Sequence, residues 1–171
     1  MENFTNNVLD TQNLPKYEKI QLTSLHKKYA VVVMVHALIS YLVLSSILFF
    51  LVWEIPDLLK FRRIMLLVFY ILIAINAGYK LLKLKSKKYA FREHDVIFRS
   101  GVVSLETMII PYNRVQHVGL EEGLLSRYLG LAKVQVFTAG GNSSDLEIPG
   151  ILKDEAEDIK QLLMGKIQKE L

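Results

Sequence analysis

Two long apolar runs lie close together in the first half of the chain, at Ala30 to Trp53 and Ile64 to Leu82. The first contains no charged residue, and the second contains only Lys80, near its end. A helix needs about 20 apolar residues to cross a hydrocarbon core of about 30 Å, so each run is long enough to span a membrane. Lipid offers the backbone no hydrogen-bond partners, so helices are expected. The sequence therefore predicts a two-helix transmembrane hairpin over residues 29 to 84.

The charged residues beside the two runs indicate the orientation of the hairpin. The connection from Glu54 to Arg63 contains Pro56, which ends helical structure, and three basic residues. Five lysines mark the end of the second run, namely Lys80, Lys83, Lys85, Lys87 and Lys88. Together with Lys27 and Lys28 they outnumber the basic residues of the connection, so both termini are expected in the cytoplasm. We predict a multi-pass protein of the cell membrane, with residues 1 to 28 as a cytoplasmic N-terminal segment.

Basic residues are concentrated beside the apolar runs. Up to Lys88 the sequence has twelve basic and five acidic residues, whereas from Tyr89 onward it has nine basic and twelve acidic ones. The lysines after the second run are therefore expected to contact anionic membrane lipids, at about 1 kcal/mol per residue near the surface. The acidic balance of the rest of the chain argues against nucleic acid as a partner.

After Lys88 the pattern changes to short segments in which apolar and polar residues alternate. Strands are predicted at Lys88 to Arg92, Val96 to Arg99, Val102 to Tyr112, Arg114 to Leu120, Lys133 to Thr138 and Asp145 to Ile148, with a helical turn at Gly123 to Gly130. Short strands separated by turn residues indicate a small barrel or sandwich.

A final helix is predicted from Asp154 onward, with acidic residues in its first turn and lysines toward its end. Its apolar stripe comprises Leu152, Ala156, Ile159, Leu163 and Ile167. We expect this helix to cap the barrel, and a partner-binding helix is the alternative.

The residue groups that catalysis needs are not recognisable in the sequence. Cysteine is absent, and the four histidines lack the spacing of metal ligands. His117, Ser143 and Asp145 are the residue types of a catalytic triad, but their spacing in the sequence does not support one. The glycines after Thr138 lack the lysine and the strand-to-helix context of a phosphate-binding loop. We therefore predict a protein that is not an enzyme and that uses no cofactor or metal.

Polar and small residues inside the apolar runs bear on how the hairpin packs. His36 and Asn76 are candidates for proton or ion handling, but neither run offers an acidic partner. Hydrogen bonds within the hairpin or to a neighbouring helix are the favoured interpretation. Small residues such as Gly78 offer close-packing positions, so we expect a homo-oligomer or a complex with another membrane protein.

Four short motifs follow one another in the C-terminal half, at Ile110 to Val118, Leu125 to Ala132, Thr138 to Gly141 and Leu146 to Gly150. With the preceding hairpin they resemble the YdbS-like family of bacterial pleckstrin-homology (PH) membrane proteins. The resemblance implies that residues 85 to 171 form an α+β domain, a PH-like small barrel of two sheets capped by a C-terminal helix. It also implies partnership with a larger membrane protein that carries related domains.

Arg114, His117 and Arg127 are the candidate site residues of this domain. A structural role is the favoured interpretation, in which Arg114 pairs with Glu121 or Glu122 and fixes the helical turn. The alternative is an anion or partner site formed by all three residues.

Two functions remain open from the sequence. The first is a non-enzymatic, membrane-anchored interaction module that is a subunit of a bacterial envelope complex. The second is a module that senses or handles lipid headgroups at the cytoplasmic surface of the membrane.

Overall fold

The computed structural model describes residues 20–55, 60–139 and 145–170, with side chains to residue 166. Two long helices dominate its N-terminal part, α1 at Tyr29–Glu54 and α2 at Arg62–Ser86. At 1.5 Å per residue each is nearly 40 Å long. Both are long and apolar enough to cross a membrane. Pro56 and most of the connecting loop lie outside the described residues.

Few polar contacts join the two helices. The Tyr41 hydroxyl donates a hydrogen bond of 2.9 Å to Oδ1 of Asn76, and the Lys80 ammonium lies 5.1 Å from the centre of the Tyr41 ring. No residue of α2 is buried, whereas α1 buries Val32, Ala37 and Val52. The hairpin therefore leaves most of its apolar surface uncovered by the described chain.

The first sheet has four antiparallel strands in the order β1-β2-β3-β4. They are β1 (Thr23–Ser24), β2 (Lys88–Phe91), β3 (Asp95–Ser100) and β4 (Glu106–Pro111). The strand β1 precedes the hairpin, and Thr23 pairs with Tyr89. A strand of two residues is too short to show an alternating pattern, so the sequence did not predict it. The domain boundaries drawn from the sequence stay predictions, but the sheet takes in residues from both sides of the hairpin.

The second sheet has three antiparallel strands in the order β5-β6-β7. They are β5 (Val115–Glu121), β6 (Leu131–Thr138) and β7 (Leu146–Leu152). A 3₁₀ turn at Tyr112–Arg114 joins the two sheets, and the short helix α3 (Leu124–Tyr128) joins β5 to β6. The final helix, α4, spans Lys153–Glu170 and packs on the second sheet.

The core lies between the two sheets and α4. Tyr89, Val96 and Ile110 of the first sheet join residues such as Val134 and Ile148 of the second in one buried cluster. Helix α4 contributes two buried residues of its predicted stripe, Ala156 and Leu163, with Ile159 packed beside them. Leu152 does not belong to this stripe, because it ends β7 and is 37% exposed. The side chain of Ile167 lies outside the described residues. Two apolar helices followed by two small sheets and a C-terminal helix confirm the predicted fold.

The hairpin and the domain meet at Gly150 of β7. The backbone N–H of His26 donates a hydrogen bond of 2.9 Å to the Gly150 carbonyl. Gly150 has φ +68°, and a Cβ atom there would lie 2.5 Å from Cγ of Tyr29, the first residue of α1. Glycine is therefore required at this position, both for its backbone conformation and for the close approach of α1.

Candidate functional site

A cavity of about 650 Å³ lies where the hairpin meets the second sheet. One wall, called here the hairpin wall, is formed by Tyr29 to Ser40 of α1, by Lys80 to Leu84 of α2 and by Lys87, directly after α2. The opposite side, the domain wall, is formed by the ends of the three strands of the second sheet and by the start of α3. Its residues are Glu121, Gly123, Ser126, Ala132, Lys133, Pro149 and Gly150.

Three lysines of the hairpin wall face the cavity, Lys80, Lys83 and Lys87. Within the described part of the chain, neither Lys83 nor Lys87 forms an ion pair. Burial lowers the pKa of Lys87, and the nearby charge of Lys83 lowers it further, while Glu147 acts in the opposite direction. The hairpin wall therefore carries positive charge that the surrounding protein compensates only in part.

The domain wall also contains a lysine, but its charge is balanced. The Lys133 ammonium lies 2.7 Å from Oε2 of Glu121 and 3.2 Å from Oε1 of Glu147. The Gln135 amide donates hydrogen bonds of 3.0 Å to the same two carboxylates. Burial lowers the pKa of Lys133, but its hydrogen bonds to Glu121 and Glu147 outweigh burial and raise the pKa overall.

The α1 side of the hairpin wall is largely apolar, with Val32, Val33 and Ala37 facing the cavity. The polar residues there bond within their own helix. Nδ1 of His36 lies 2.8 Å from the Val32 carbonyl, and the Ser40 hydroxyl donates to the Ala37 carbonyl at 2.8 Å. A cavity with lysines on one helix and apolar side chains on the other suits an amphiphilic anion.

The three candidate residues of the domain do not line this cavity, and they lie on three different parts of the chain. Arg114 ends the 3₁₀ turn before β5, whereas Arg127 lies in α3, after β5. The seven residues of β5 separate them by about 20 Å of extended chain. His117 lies on β5 and stacks on Phe137, with ring centres 4.2 Å apart. Arg114 and Arg127 thus lie toward opposite ends of β5, and binding by any of the three residues stays a prediction.

The prediction that Arg114 pairs with Glu121 or Glu122 is wrong. Glu121 pairs with Lys133, and Glu122 pairs with Lys153 at 2.9 Å. The strand register explains this, because Glu121 lies directly opposite Lys133 on β6 while Arg114 lies at the other end of β5. The sequence missed Lys133 and Glu121 as residues of the cavity, since only the pairing of β5 with β6 brings them there.

The five predicted membrane-surface lysines divide into two groups. Lys80, Lys83 and Lys87 line the cavity, whereas Lys85 and Lys88 are exposed outside it. This division follows the helical period, because Lys80, Lys83 and Lys87 are spaced by three and four residues and lie on one face of the chain as α2 ends.

The two apolar helices and the two-sheet domain define the class of this protein, a membrane-associated PH-like module. The sequence model of the bacterial PH domain family matches residues 20–167, and the chain belongs to this family. This confirms the resemblance found in the sequence motifs, and the match begins before β1.

A relative supports the same assignment. The chain is 33% identical over 73 residues to the UPF0699 transmembrane protein YdbS of Bacillus subtilis (strain 168). That segment covers 43% of this chain and 44% of the relative, so less than half of the relative is matched. The relative's description as a transmembrane protein agrees with the two apolar helices, and the chain is a membrane protein. No solved structure matches it.

Proposed function

We propose that this PH-like module binds an anionic lipid headgroup in the cavity between its hairpin and its domain. One observation carries the proposal: Lys80, Lys83 and Lys87 line a single cavity at the end of a membrane helix. The module is not an enzyme in this proposal, and its role is to sense or hold lipid at the membrane surface.

The chemistry of the hairpin wall fits a headgroup phosphate. Lys83 and Lys87 are four residues apart, so two ammonium groups are available to one phosphate as α2 ends. Burial and, to a lesser extent, repulsion by Lys83 lower the pKa of Lys87, and an anion between the two lysines would relieve this repulsion. The apolar residues of α1 on the same wall offer a surface for the glycerol and the first acyl carbons.

The proposal is tested by binding of a short-chain phosphatidylglycerol to the full chain in a zwitterionic detergent. The double variant Lys83→Gln/Lys87→Gln should bind at least about tenfold more weakly, since each lysine near a lipid phosphate contributes about 1 kcal/mol. Lys85→Gln/Lys88→Gln is the matched control, because it removes the same charge outside the cavity. Its effect should be small, because neither of these two lysines lines the cavity. Equal losses in the two double variants would refute a site in the cavity.

A second candidate function is a subunit of an envelope membrane complex, formed with further copies or with a larger membrane protein that carries related domains. Two observations favour it: no residue of α2 is buried, and a Cβ atom at Gly78 would meet nothing within 4 Å. Gly78→Leu therefore leaves the described fold undisturbed but blocks close approach of a neighbouring helix. Molecular mass in nanodiscs and mild detergent should fall toward the monomer for Gly78→Leu and stay unchanged for Gly78→Ala. A monomeric wild-type protein under both conditions would exclude the complex.

The proposed orientation places both termini and the domain in the cytoplasm, and the lysines at the end of α2 support it. The chain has no cysteine, so a single Trp53→Cys variant provides one labelling site at the far end of α1. An impermeant thiol reagent should label it from outside intact cells and should not label a His94→Cys variant. The reverse pattern would invert the topology.

A further inference from the structure

The most exposed apolar residues of the domain lie at one of its ends. The three most exposed large apolar side chains after Lys88 are Val103 (92%), Tyr128 (90%) and Leu124 (83%). Val103 lies in the turn between β3 and β4, and the other two lie one helical turn apart on α3. Side chains of this size are rarely left so exposed together without a binding partner.

The β3–β4 turn lies at the end of the domain next to α2. Strand β2 begins at Lys88, directly after α2 ends, and Lys88 pairs with Arg99 near the end of β3. The turn that follows Ser100 therefore projects on the hairpin side of the first sheet. Its conformation is fixed by Gly101, which has φ +117° and where a Cβ atom would lie 1.8 Å from the Ser104 carbonyl oxygen. Val103 and Leu105 are thus presented on a tight, glycine-dependent turn.

Helix α3 lies at the same end of the domain, next to α1. It packs against α1, and Ser126 shares the cavity with Ser40 and Lys80 of the hairpin. Leu125 and Leu129 face the domain and are partly buried, while Leu124, Arg127 and Tyr128 form the exposed face. This short helix is therefore apolar toward the protein and carries an aromatic, a leucine and an arginine on its outer side.

The opposite end of the domain differs. There the described turns carry polar or charged exposed residues, namely Glu93 and His94 between β2 and β3, and Asn113 and Arg114 between the sheets. Large exposed apolar side chains are absent from these two turns as the structure describes them. Among the described turns, the large exposed apolar side chains therefore lie at the hairpin end of the domain.

We propose that the β3–β4 turn and α3 insert into the interfacial layer of the membrane that holds the hairpin. The turn would enter beside α2 and α3 beside α1, so that Val103 and Leu124 reach the upper acyl region and Tyr128 lies among the headgroups. Each element also has an arginine beside it, Arg99 before the turn and Arg127 on α3, while Glu106 lies opposite Ser100 at the base of the turn. A lipid surface is the occupant favoured here, because both elements are adjacent to membrane helices and present exposed apolar tips.

The insertion would fix the domain against the membrane on both sides of the hairpin. The mouth of the cavity would then open at headgroup level and not toward bulk water. This inference does not require the cavity to bind a lipid, since it concerns different residues and a different property of the bilayer.

The experiment uses tryptophan as a depth probe in the full chain. The sequence contains one tryptophan, Trp53, and Trp53→Phe gives a background without indole. Single tryptophans are then placed by Val103→Trp, Tyr128→Trp and, as the control at the opposite end of the domain, His94→Trp. All three positions are exposed, so the domain should fold with each.

The variants are compared in nanodiscs of phosphatidylcholine with and without bromine on the acyl chains. Val103→Trp and Tyr128→Trp should show blue-shifted emission and lose at least about half of their intensity with brominated lipid, while His94→Trp should be unaffected. Equal quenching at all three positions, or quenching absent from either predicted position, would overturn the proposal. Phosphatidylcholine has no net charge, so this outcome is independent of the phosphatidylglycerol test. Lys83→Gln/Lys87→Gln should leave the quenching unchanged.

Discussion

The two walls of the cavity use lysine in opposite ways. On the domain wall, Lys133 lies within 3.2 Å of two carboxylates, which a glutamine also bonds. On the hairpin wall, Lys83 and Lys87 form no ion pair among the described residues, and their mutual repulsion adds to the effect of burial on Lys87. The charge of Lys133 thus links three neighbouring strands, while the positive charge of the hairpin wall is compensated only in part by the protein.

This difference separates stability from binding. A balanced charge network contributes to folding and offers little to an anion, because the carboxylates would repel it. Positive groups close together raise the free energy of the unliganded protein and lower that of a complex with an anion. The following variants test whether the two walls are distinct in this sense.

The largest effect is expected at Gly150, where the two walls meet. Gly150→Ala should lower the free energy of unfolding by about 3 kcal/mol, because it adds a clash with Tyr29 to the strain of a positive φ. Gly130→Ala is the matched control: its φ is +69°, and nothing lies within 4 Å of the added Cβ. It should cost about 1 kcal/mol. Urea unfolding of the full chain in detergent measures both, and equal costs would mean that the contact of α1 with β7 contributes nothing.

An intermediate effect is expected from pH acting on the hairpin wall. The pKa of Lys87 is lowered in the folded protein, so its ammonium is lost in a window below the ordinary value of 10.5. Phosphatidylglycerol binding should therefore weaken as the pH rises through this window, by up to about tenfold. Lys87→Arg stays charged and should flatten the profile. If binding by wild type and by Lys87→Arg had the same pH profile, Lys87 would not contact the headgroup.

The same shift makes a prediction of opposite sign for folding. At neutral pH the Lys87 ammonium is charged in both the folded and the unfolded state. Its partial burial then destabilises the folded state to the full extent of the pKa difference. The Lys87 contribution to the free energy of unfolding should therefore rise as the pH increases toward 10.5. The comparison of wild type with Lys87→Arg in urea isolates this contribution from other alkaline titrations.

The smallest effect is expected at the balanced domain wall. Lys133→Gln should lower the free energy of unfolding by about 1 kcal/mol or less, since the pair is partly exposed to solvent. Phosphatidylglycerol binding should be unchanged, in contrast to Lys83→Gln/Lys87→Gln. If Lys133→Gln lost as much binding as the double variant, both walls would contact the lipid phosphate.

The helices were predictable because hydropathy is a local property. The apolar runs locate α1 and α2 to within a few residues, and the alternating segments locate most strands. The errors occur where local pattern misleads. Val102 to Tyr112 was predicted as one strand, but β4 begins only at Glu106, because Gly101 starts a turn in which apolar Val103 and Leu105 are exposed.

The candidate site was predictable on one wall only. The lysines of α2 are recognisable from their spacing after an apolar run, which needs no tertiary information. The domain wall depends on pairings between distant strands, and Glu121 could be assigned to Lys133 and not to Arg114 only from the register of β5 and β6. Gly150 belongs to one of the four motifs, but the reason for a glycine there was not predictable, since it arises from Tyr29, far away in the sequence.

The position of β1 has a consequence for biosynthesis. The ribosome makes Thr23 and Ser24 before the membrane helices, but their partners Tyr89 and Lys88 only after them. The nascent chain therefore cannot complete its first sheet until both apolar helices have been synthesised. In this sense the hairpin is an insertion within the folded domain, and β1 stays unpaired, and so open to aggregation or proteolysis, until β2 has been made.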